Sequence, residues 1–446
     1  MKYAFVLGAA LLAATAAFAQ PDAERQAATE KDYRATLGRV GVQQIRPGAD
    51  GFNRQAANAA NYDEARVGTL PPLPALLTDA QGRPVASRGD WQRRRRELIA
   101  LLDSEMYGRV PANAPGVRWE FTNQEFRSVG GVAVVTRRYL GRAANFGLDA
   151  PFFGIELTID MPERAQGRIP VIVEFGFPEG ARPPGPPRPQ PSGPTGREQV
   201  LQRGWGFAVL VATTVQADDG AGLRQGVIGF ASAGRPRGND EWGTLRAWAW
   251  GASRVYDLLA ADPRVDRRRI AIEGLSRYGK AALVTMAYDE RFSLGFIGSS
   301  GAGGAKLLRR DYGERMSNLA ASGEYHWFAP NFLRYAGPRE VADLPVDAHT
   351  LIAMAAPRAL FIGAGNFAED GWVDPRGSWE AARAASPVWR LLGQEGLVGD
   401  AYPAINQAQD SGRIAFRQHD GGHTNGPNWP AFLAFAARIW ELDGRR

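Results

Sequence analysis

From Gly204 to the C-terminus the chain repeats one pattern, and that pattern decides its fold class. A short apolar run of strand length is followed by a longer run with helical periodicity. "GWGFAVLVAT" (204–213) precedes "WGTLRAWAWGASRVYDLLAAD" (242–262), and "RIAIEG" precedes "RYGKAALVTMAYDE". "RALFIGAG" (358–365) precedes "GSWEAARAASPVWRLLG", and "RIAFRQHDGGH" precedes "NWPAFLAFAARIWELD". Between them, "SLGFIGSS" runs into an irregular region that ends at the helical "DAHTLIAMAA". Strands separated by helices of this length form a parallel sheet with helices on both faces. Upstream, "WEFTNQEF" (119–126), "GVAVVTRRYL" (131–140), "FGIELTID" (153–160) and "IPVIVEFGF" (169–177) read as strands, the first of them antiparallel in a mixed sheet. The expected fold class is α/β: a three-layer sandwich around a mostly parallel central sheet.

Three segments stand outside the pattern. "DWQRRRRELIALLDSEMYG" (90–108) is an amphipathic helix, with Asp90 as its expected N-cap and Gly108 as its stop. Residues 178–196 are dominated by proline and glycine, which neither pair in a sheet nor continue a helix, so they form an exposed loop. The N-terminus, "MKYAFVLGAALLAATAAFAQ", has a Lys2 n-region, a short apolar stretch and the small-x-small site Ala17-Phe18-Ala19. It reads as an export signal over 1–19, followed by a lead-in segment over 20–89 and a catalytic domain over 90–446. The mature protein is expected to be secreted or periplasmic, with no membrane helix.

Charge excludes one class of partner. A net charge of +6 on 446 residues is too small and too dispersed for a nucleic-acid binder. The arginine runs Arg93–Arg96 and Arg267–Arg269 read as a solvated helix face and a strand approach. The chain has no cysteine, so thiol catalysis and disulfides are excluded. Any histidine chemistry must use one of four residues: His326, His349, His419 or His423.

The candidate chemistry centres on Gly274-Leu275-Ser276-Arg277-Tyr278-Gly279-Lys280, which lies between a strand and a helix. In an open α/β sheet, sites form at the carboxyl ends of the strands. A serine in a sharp strand-to-helix turn presents Oγ above the sheet, and the free N–H groups of the following helix can meet an oxyanion. The spacing departs from G-x-S-x-G, because the second glycine comes one residue late. Ser276 is therefore either a nucleophile or a plain helix cap. The base belongs in a loop after the last strand, and His423 sits there beside Gly421 and Gly422. His419, nearer the strand, reads as a packed histidine, and the pair does not make a metal clamp. The acid belongs after "RALFIGAG". Asp374 before Pro375 reads as a helix cap, which leaves Asp370, with Glu369 beside it, as the expected partner of the histidine.

"GLSRYGKAAL", preceded by "EWGTLRAWAWGASRVYDLL" and followed by "DERF", resembles the glucuronoyl esterases, carbohydrate esterase family 15. "HWFAPNFLRYAG", "APRALFIGAG", "DGWVDPRG" and the histidine loop extend the resemblance over roughly 90–440. The family motif G-x-S-R-x-G-K accounts for the late glycine. The resemblance implies an α/β-hydrolase fold and cleavage of esters between (4-O-methyl-)glucuronic acid on xylan and lignin alcohols. It implies Ser276 as nucleophile, His423 as base and Arg277 as an oxyanion contact. It implies Lys280, Glu314 and Trp372 as sugar contacts, with no cofactor and no metal. On the residues alone, Lys280 is alternatively a surface lysine, Glu314 a salt-bridge partner of Arg310, and Trp372 a core tryptophan. Many family members carry a catalytic glutamate where this chain has Ser299, so the acid is expected to be Asp370. The expected partner is a carbohydrate, and the expected state is a monomer. Two other readings use the same residues: an esterase for acetylated xylan or another small ester, and a weakly active carbohydrate-binding relative without the glutamate.

Overall fold

The structure, a computed structural model, describes residues 6–143, 154–180 and 193–444, with side chains from residue 23 onward. Most of the proline-rich stretch, 181–192, lies outside the described residues. Ten strands form one sheet: β1 (Val117–Val129), β2 (Val132–Ala143), β3 (Ile155–Pro162), β4 (Ile169–Gly176), β5 (Gly206–Val211), β6 (Val265–Leu275), β7 (Leu294–Gly298), β8 (Ala359–Ala364), β9 (Ala408–Gln409) and β10 (Ile414–Gln418). Their order is β1-β2-β3-β5-β4-β6-β7-β8-β10-β9. β1, β2, β3 and β5 pair antiparallel in succession. β5, β4, β6, β7, β8 and β10 are parallel. Only the short edge strand β9 was without a signal in the sequence.

Alternation along the central strands separates two apolar layers. Ile270 and Ile272 of β6 join one core and Ala271 the other, as do Leu360 and Ile362 against Phe361 on β8. Successive side chains on a strand point to opposite faces, so each strand feeds both layers. One layer holds Phe296, Phe361, Trp429 and Phe432, under the C-terminal helix Trp429–Gly444. The larger layer lies under the helices Thr244–Ala261, Arg277–Tyr288 and Pro375–Leu391.

The helix predicted over 90–108 runs Arg88–Glu105, and its cap differs from the expectation. Ser87 is the N-cap, and Asp90 is the residue that reciprocates in a capping box. Nor is the arginine run on this helix simply solvated. Arg94 is buried, donating to Glu97 and to the Ala75 carbonyl, and Arg95 pairs with Glu290. The lead-in segment also joins the fold: Val40, Val42, Leu76 and Val85 belong to the larger core.

The irregular region between β7 and the helix Ala348–Ala353 folds over the carboxyl end of the sheet. Its aromatic residues, among them Tyr325, Phe328, Phe332 and Tyr335, are buried. It has little regular structure, so its backbone groups need side-chain partners. The buried pair Arg309–Asp347, 3.0 Å apart, supplies several of them. Asp347 accepts from the N–H groups of Leu308 and Ala348, and Arg309 donates to the carbonyls of Val346, Ala342 and Leu344. Replacing Asp347 by alanine strands a buried guanidinium. Asp347→Ala is expected to lower unfolding free energy by about 3–5 kcal/mol, measured by urea denaturation.

Candidate active site

The turn at Ser276 is held by close packing. Its backbone has φ 61° and ψ −128°, a left-handed conformation that non-glycine residues rarely adopt. The Ser276 N–H donates to the Gly298 carbonyl at 2.8 Å, which pins the turn to the end of β7. A Cβ on Gly274 would collide with the Tyr278 carbonyl, and one on Gly279 would lie 2.6 Å from the Gly298 carbonyl. The late glycine is therefore where the helix Arg277–Tyr288 meets β7. Ser276 stands at that helix's N-terminus, but its side chain does not cap it. The plain helix-cap reading fails on this point.

Ser276, Arg277 and His423 line one cavity of about 340 Å³. His423 Nδ1 lies 2.6 Å from Asp370 Oδ1. The other oxygen of that carboxylate accepts from the Ser299 hydroxyl at 2.6 Å and from the Gly365 N–H at 2.7 Å. Asp370 is 1% exposed, and the His423 side chain is 26% exposed. The carboxylate is thus fixed and buried, while the ring reaches solvent. His419 is buried, donates from Nε2 to the Thr424 carbonyl and accepts the Gly421 N–H at Nδ1. Burial lowers its pKa, as a packed neutral histidine requires. Asp374 caps the helix Pro375–Leu391 through the Gly377 N–H.

Arg277 is held by a residue that carries no local signal. Its Nε lies 2.6 Å from Asp218 Oδ2. Asp218 Oδ1 meets Trp327 Nε1 at 2.6 Å and His326 Nε2 at 3.1 Å. Burial would raise the Asp218 pKa, but His326, Arg277 and Trp327 outweigh it and hold the pKa below the usual value. No periodicity or spacing in "VQADDG" marks this aspartate.

Lys280 lies one helical turn after Ser276 and is 4% exposed, so it is not a surface lysine. Its Nζ donates to the Ser300 carbonyl at 2.8 Å and to Glu314 Oε2 at 3.2 Å. The expected alternative partner of Glu314, Arg310, is instead engaged by Asp374 and Glu64. Glu314 Oε2 also accepts the Ala302 N–H at 2.8 Å. Trp372 lies apart from the serine cavity. Its half-buried ring packs against Gly51 on a neighbouring cavity.

Three further carboxyls were missed. Glu174 and Glu273 sit opposite each other on β4 and β6 and both line the serine cavity. Burial raises both pKa values, Glu174 to about 7 and Glu273 well above the usual carboxylate range, and Glu273 is also raised by Glu174. Glu273 accepts a hydrogen bond from Asn425, two residues beyond His423. A lone glutamate near the end of each apolar strand, in "VIVEFG" and "IAIEGL", was the available signal. Glu324 has an Oε2 that is buried without a hydrogen-bond partner among the described residues. Burial, then Glu314, raise its pKa to about 8. Among the described residues no group of three or more His, Asp or Glu side chains is arranged to hold a metal ion.

A family model described as glucuronyl esterase, fungi, matches residues 237–393. The carbohydrate esterase MZ0003 of an unknown prokaryotic organism is 30% identical over 84% of this chain and 91% of its own. A CE15 glucuronoyl esterase from Teredinibacter turnerae T7901 superposes with a TM-score of 0.84 at 40% identity, over 92% of this chain and 100% of that one. A glucuronoyl esterase from Solibacter usitatus superposes with a TM-score of 0.75 at 31% identity, over 85% of this chain and 100% of that one.

Glu324 gives a pH test of this electrostatic arrangement. Its pKa rises from 4.5 to about 8 on folding, so between those values the folded state binds more protons than the unfolded state. Stability contributed by the neutral carboxyl is complete below 4.5 and is lost as pH rises through about 8. Glu324→Gln is expected to lose less unfolding free energy between about pH 5 and 9 than the wild type, by on the order of 4 kcal/mol. Denaturant melts across that range read the difference.

Proposed function

The chain belongs to the glucuronoyl esterases, carboxylic ester hydrolases of carbohydrate esterase family 15, and from that premise we propose that it cleaves glucuronoyl esters with a Ser276–His423–Asp370 triad. The substrate is the ester between a (4-O-methyl-)glucuronic acid side chain of xylan and a lignin alcohol. The observation that carries the reading is the 2.6 Å contact between His423 Nδ1 and a buried Asp370, beside the strained turn that bears Ser276.

His423 Nε2 takes the proton of Ser276 as Oγ attacks the ester carbonyl. Asp370 keeps the proton on Nδ1 and stabilises the imidazolium that forms. The ester is neutral in the ground state, and negative charge appears on the carbonyl oxygen only in the tetrahedral intermediate. The Arg277 backbone N–H, at the start of a helix, and its guanidinium meet that charge when it develops, which is what accelerates the step. Collapse of the intermediate breaks the bond to the alcohol, which leaves with the proton from His423. Water then attacks the acyl-enzyme with His423 again as base, releasing the uronic acid and restoring Ser276.

Lys280 and Glu314 hold the sugar end. Each is buried and paired with the other, so a sugar hydroxyl reaching the pair meets a donor and an acceptor already fixed in place. Ser299 bears on the reading in which a missing glutamate leaves a binding protein without turnover. Its hydroxyl donates to Asp370, so the carboxylate keeps a partner on the side away from the imidazole. Export fits the same substrate, since such polymers lie outside the cell. Residues 1–19 serve as the signal, 20–89 as the lead-in and 90–446 as the catalytic domain. The mature, secreted or periplasmic protein begins at Gln20, and intact-mass measurement of the exported chain checks it.

A panel of methyl and benzyl glucuronate esters against acetyl esters tests the function. Hydrolysis of the glucuronate esters is expected, and cleavage of acetyl esters alone would give the small-ester reading instead. Ser276→Ala is expected to lower kcat by about 10⁶-fold and Asp370→Ala by about 10⁴-fold, with little change in KM. Wild-type turnover in both variants would reject the triad.

A further inference from the structure

Asn425 ties the histidine loop to the nucleophile strand. It follows His423 by two residues and is 6% exposed. Its Nδ2 donates to Glu273 Oε1 and, at 3.4 Å, to the Gly274 carbonyl. The second contact is too long to hold the amide by itself. The amide oxygen is buried and has no hydrogen-bond partner among the described residues. It lies against Gly298, where a Cβ would come within 1.8 Å of it. Gly298 is also the residue whose carbonyl accepts the Ser276 N–H. The base loop and the nucleophile turn therefore meet on one glycine, and Glu273 is the group that keeps Asn425 there.

Glu273 lies three residues before Ser276, and Glu174 is its register partner on β4. Neighbouring strands run about 4.8 Å apart, and residues in register leave the sheet on the same face. Two carboxylates this close in a buried setting cannot both ionise. A shared proton satisfies the pair: the hydroxyl of one donates to the other, and Glu273 keeps an oxygen for Asn425. The charges around the pair are already taken. Arg197 faces Glu174 from the helix Gly196–Gln202, but it is paired with the buried Asp160 at 2.5 Å. Across the cavity Arg277 is paired with Asp218, and His423 faces Asp370. Tyr278 stays neutral, since burial pushes its pKa up to about 12.

We propose that Glu273 is a positioning residue for His423: paired with Glu174 around a shared proton, it holds the histidine loop to the nucleophile strand through Asn425. The inference rests on the triad reading and deepens it. Burial favours the protonated forms, so the pair still holds a proton as pH passes the Glu174 value of about 7. Loss of the last proton leaves two charges side by side. Repulsion then drives the carboxylates apart, Glu273 swings away from Asn425, and the loop loses its tie beside Ser276. A base displaced by about 1 Å from its nucleophile costs on the order of 10²-fold in rate. The anchor is therefore intact at low pH and is lost as pH rises from about 7 towards the ionisation of Glu273.

The test measures kcat and KM for methyl glucuronate between about pH 5 and 10 in the full chain and in Glu273→Leu and Glu273→Gln. Glu273→Leu removes the acceptor and is expected to lower kcat by about 10–100-fold, with KM within about twofold. Glu273→Gln keeps a carbonyl for Asn425 and an amide N–H for Glu174, so it is expected to recover most of that kcat. Wild-type kcat is expected to fall above about pH 7, and Glu273→Gln to lose that alkaline limb, because an amide does not ionise. A limb unchanged in Glu273→Gln, a wild type without one, or a Glu273→Leu kcat equal to the wild type's would overturn the anchor. Should Glu273→Leu fail to fold, the profile of Glu273→Gln decides alone. Amide hydrogen exchange over 419–426 keeps the result apart from the triad reading. Protection factors there are expected to fall with rising pH in the wild type and to stay level in Glu273→Gln, whether or not Ser276→Ala abolishes turnover. Equal protection in both proteins at every pH would reject the anchor even with the triad intact.

Discussion

One carboxylate ties three strand ends together. Asp370 follows β8, receives the Ser299 hydroxyl from the end of β7 and faces the His423 ring from the loop after β10. Its remaining bond, from the Gly365 N–H, closes its own loop back onto β8. A buried carboxylate is tolerated only when hydrogen-bonded, and here each oxygen has a partner. Ser276 is fixed to the same place from the other side, through its N–H to the Gly298 carbonyl. The geometry of the site thus depends on the register of β6, β7, β8 and β10, which is set by the apolar layers beneath.

Charge is arranged in layers around that carboxylate. Arg277 is paired to Asp218, and Lys280 to Glu314, so both cations near Ser276 have a counter-charge before any substrate arrives. A paired arginine keeps a fixed orientation and can still meet an oxyanion with its backbone N–H. Glu174, Glu273 and Glu324 work in the opposite sense. Burial favours their neutral forms, which keeps the surroundings of the site from carrying a large negative charge near a developing oxyanion.

Features with local physical causes were legible in the sequence. The alternation of Ile270, Ala271 and Ile272, the glycines on either side of Ser276, and Asp374 before a proline each have a cause within a few residues. Groups whose role depends on distant contacts were not. Asp218 becomes significant only because the irregular region brings His326 and Trp327 to it across more than 100 positions of sequence. The arginines of the helix Arg88–Glu105 read as solvated because nothing in their own stretch announces the Ala75 carbonyl or Glu290. Nothing local to Trp372, expected as a sugar contact or a core residue, announces that the lead-in, which has no periodic signal of its own, packs Gly51 against its ring.

The serine at position 299 follows from where the acid sits. β7 and β8 are neighbouring parallel strands, with Gly298 opposite Gly363, so their carboxyl ends lie about one strand spacing, roughly 4.8 Å, apart. A carboxylate rooted at either end can reach the same imidazole. Two carboxylates there would repel, and one of them would take up a proton while the other stayed ionised. A hydroxyl has no such cost. At 2.6 Å from Asp370 Oδ2, Ser299 donates where a second acid would compete. Its own backbone, at φ 41° and with its N–H on the Gly363 carbonyl, is fixed by the sheet and not by the acid. Ser299 and Asp370 are therefore complementary, a hydroxyl donor at one strand end and the carboxylate that accepts from it at the next.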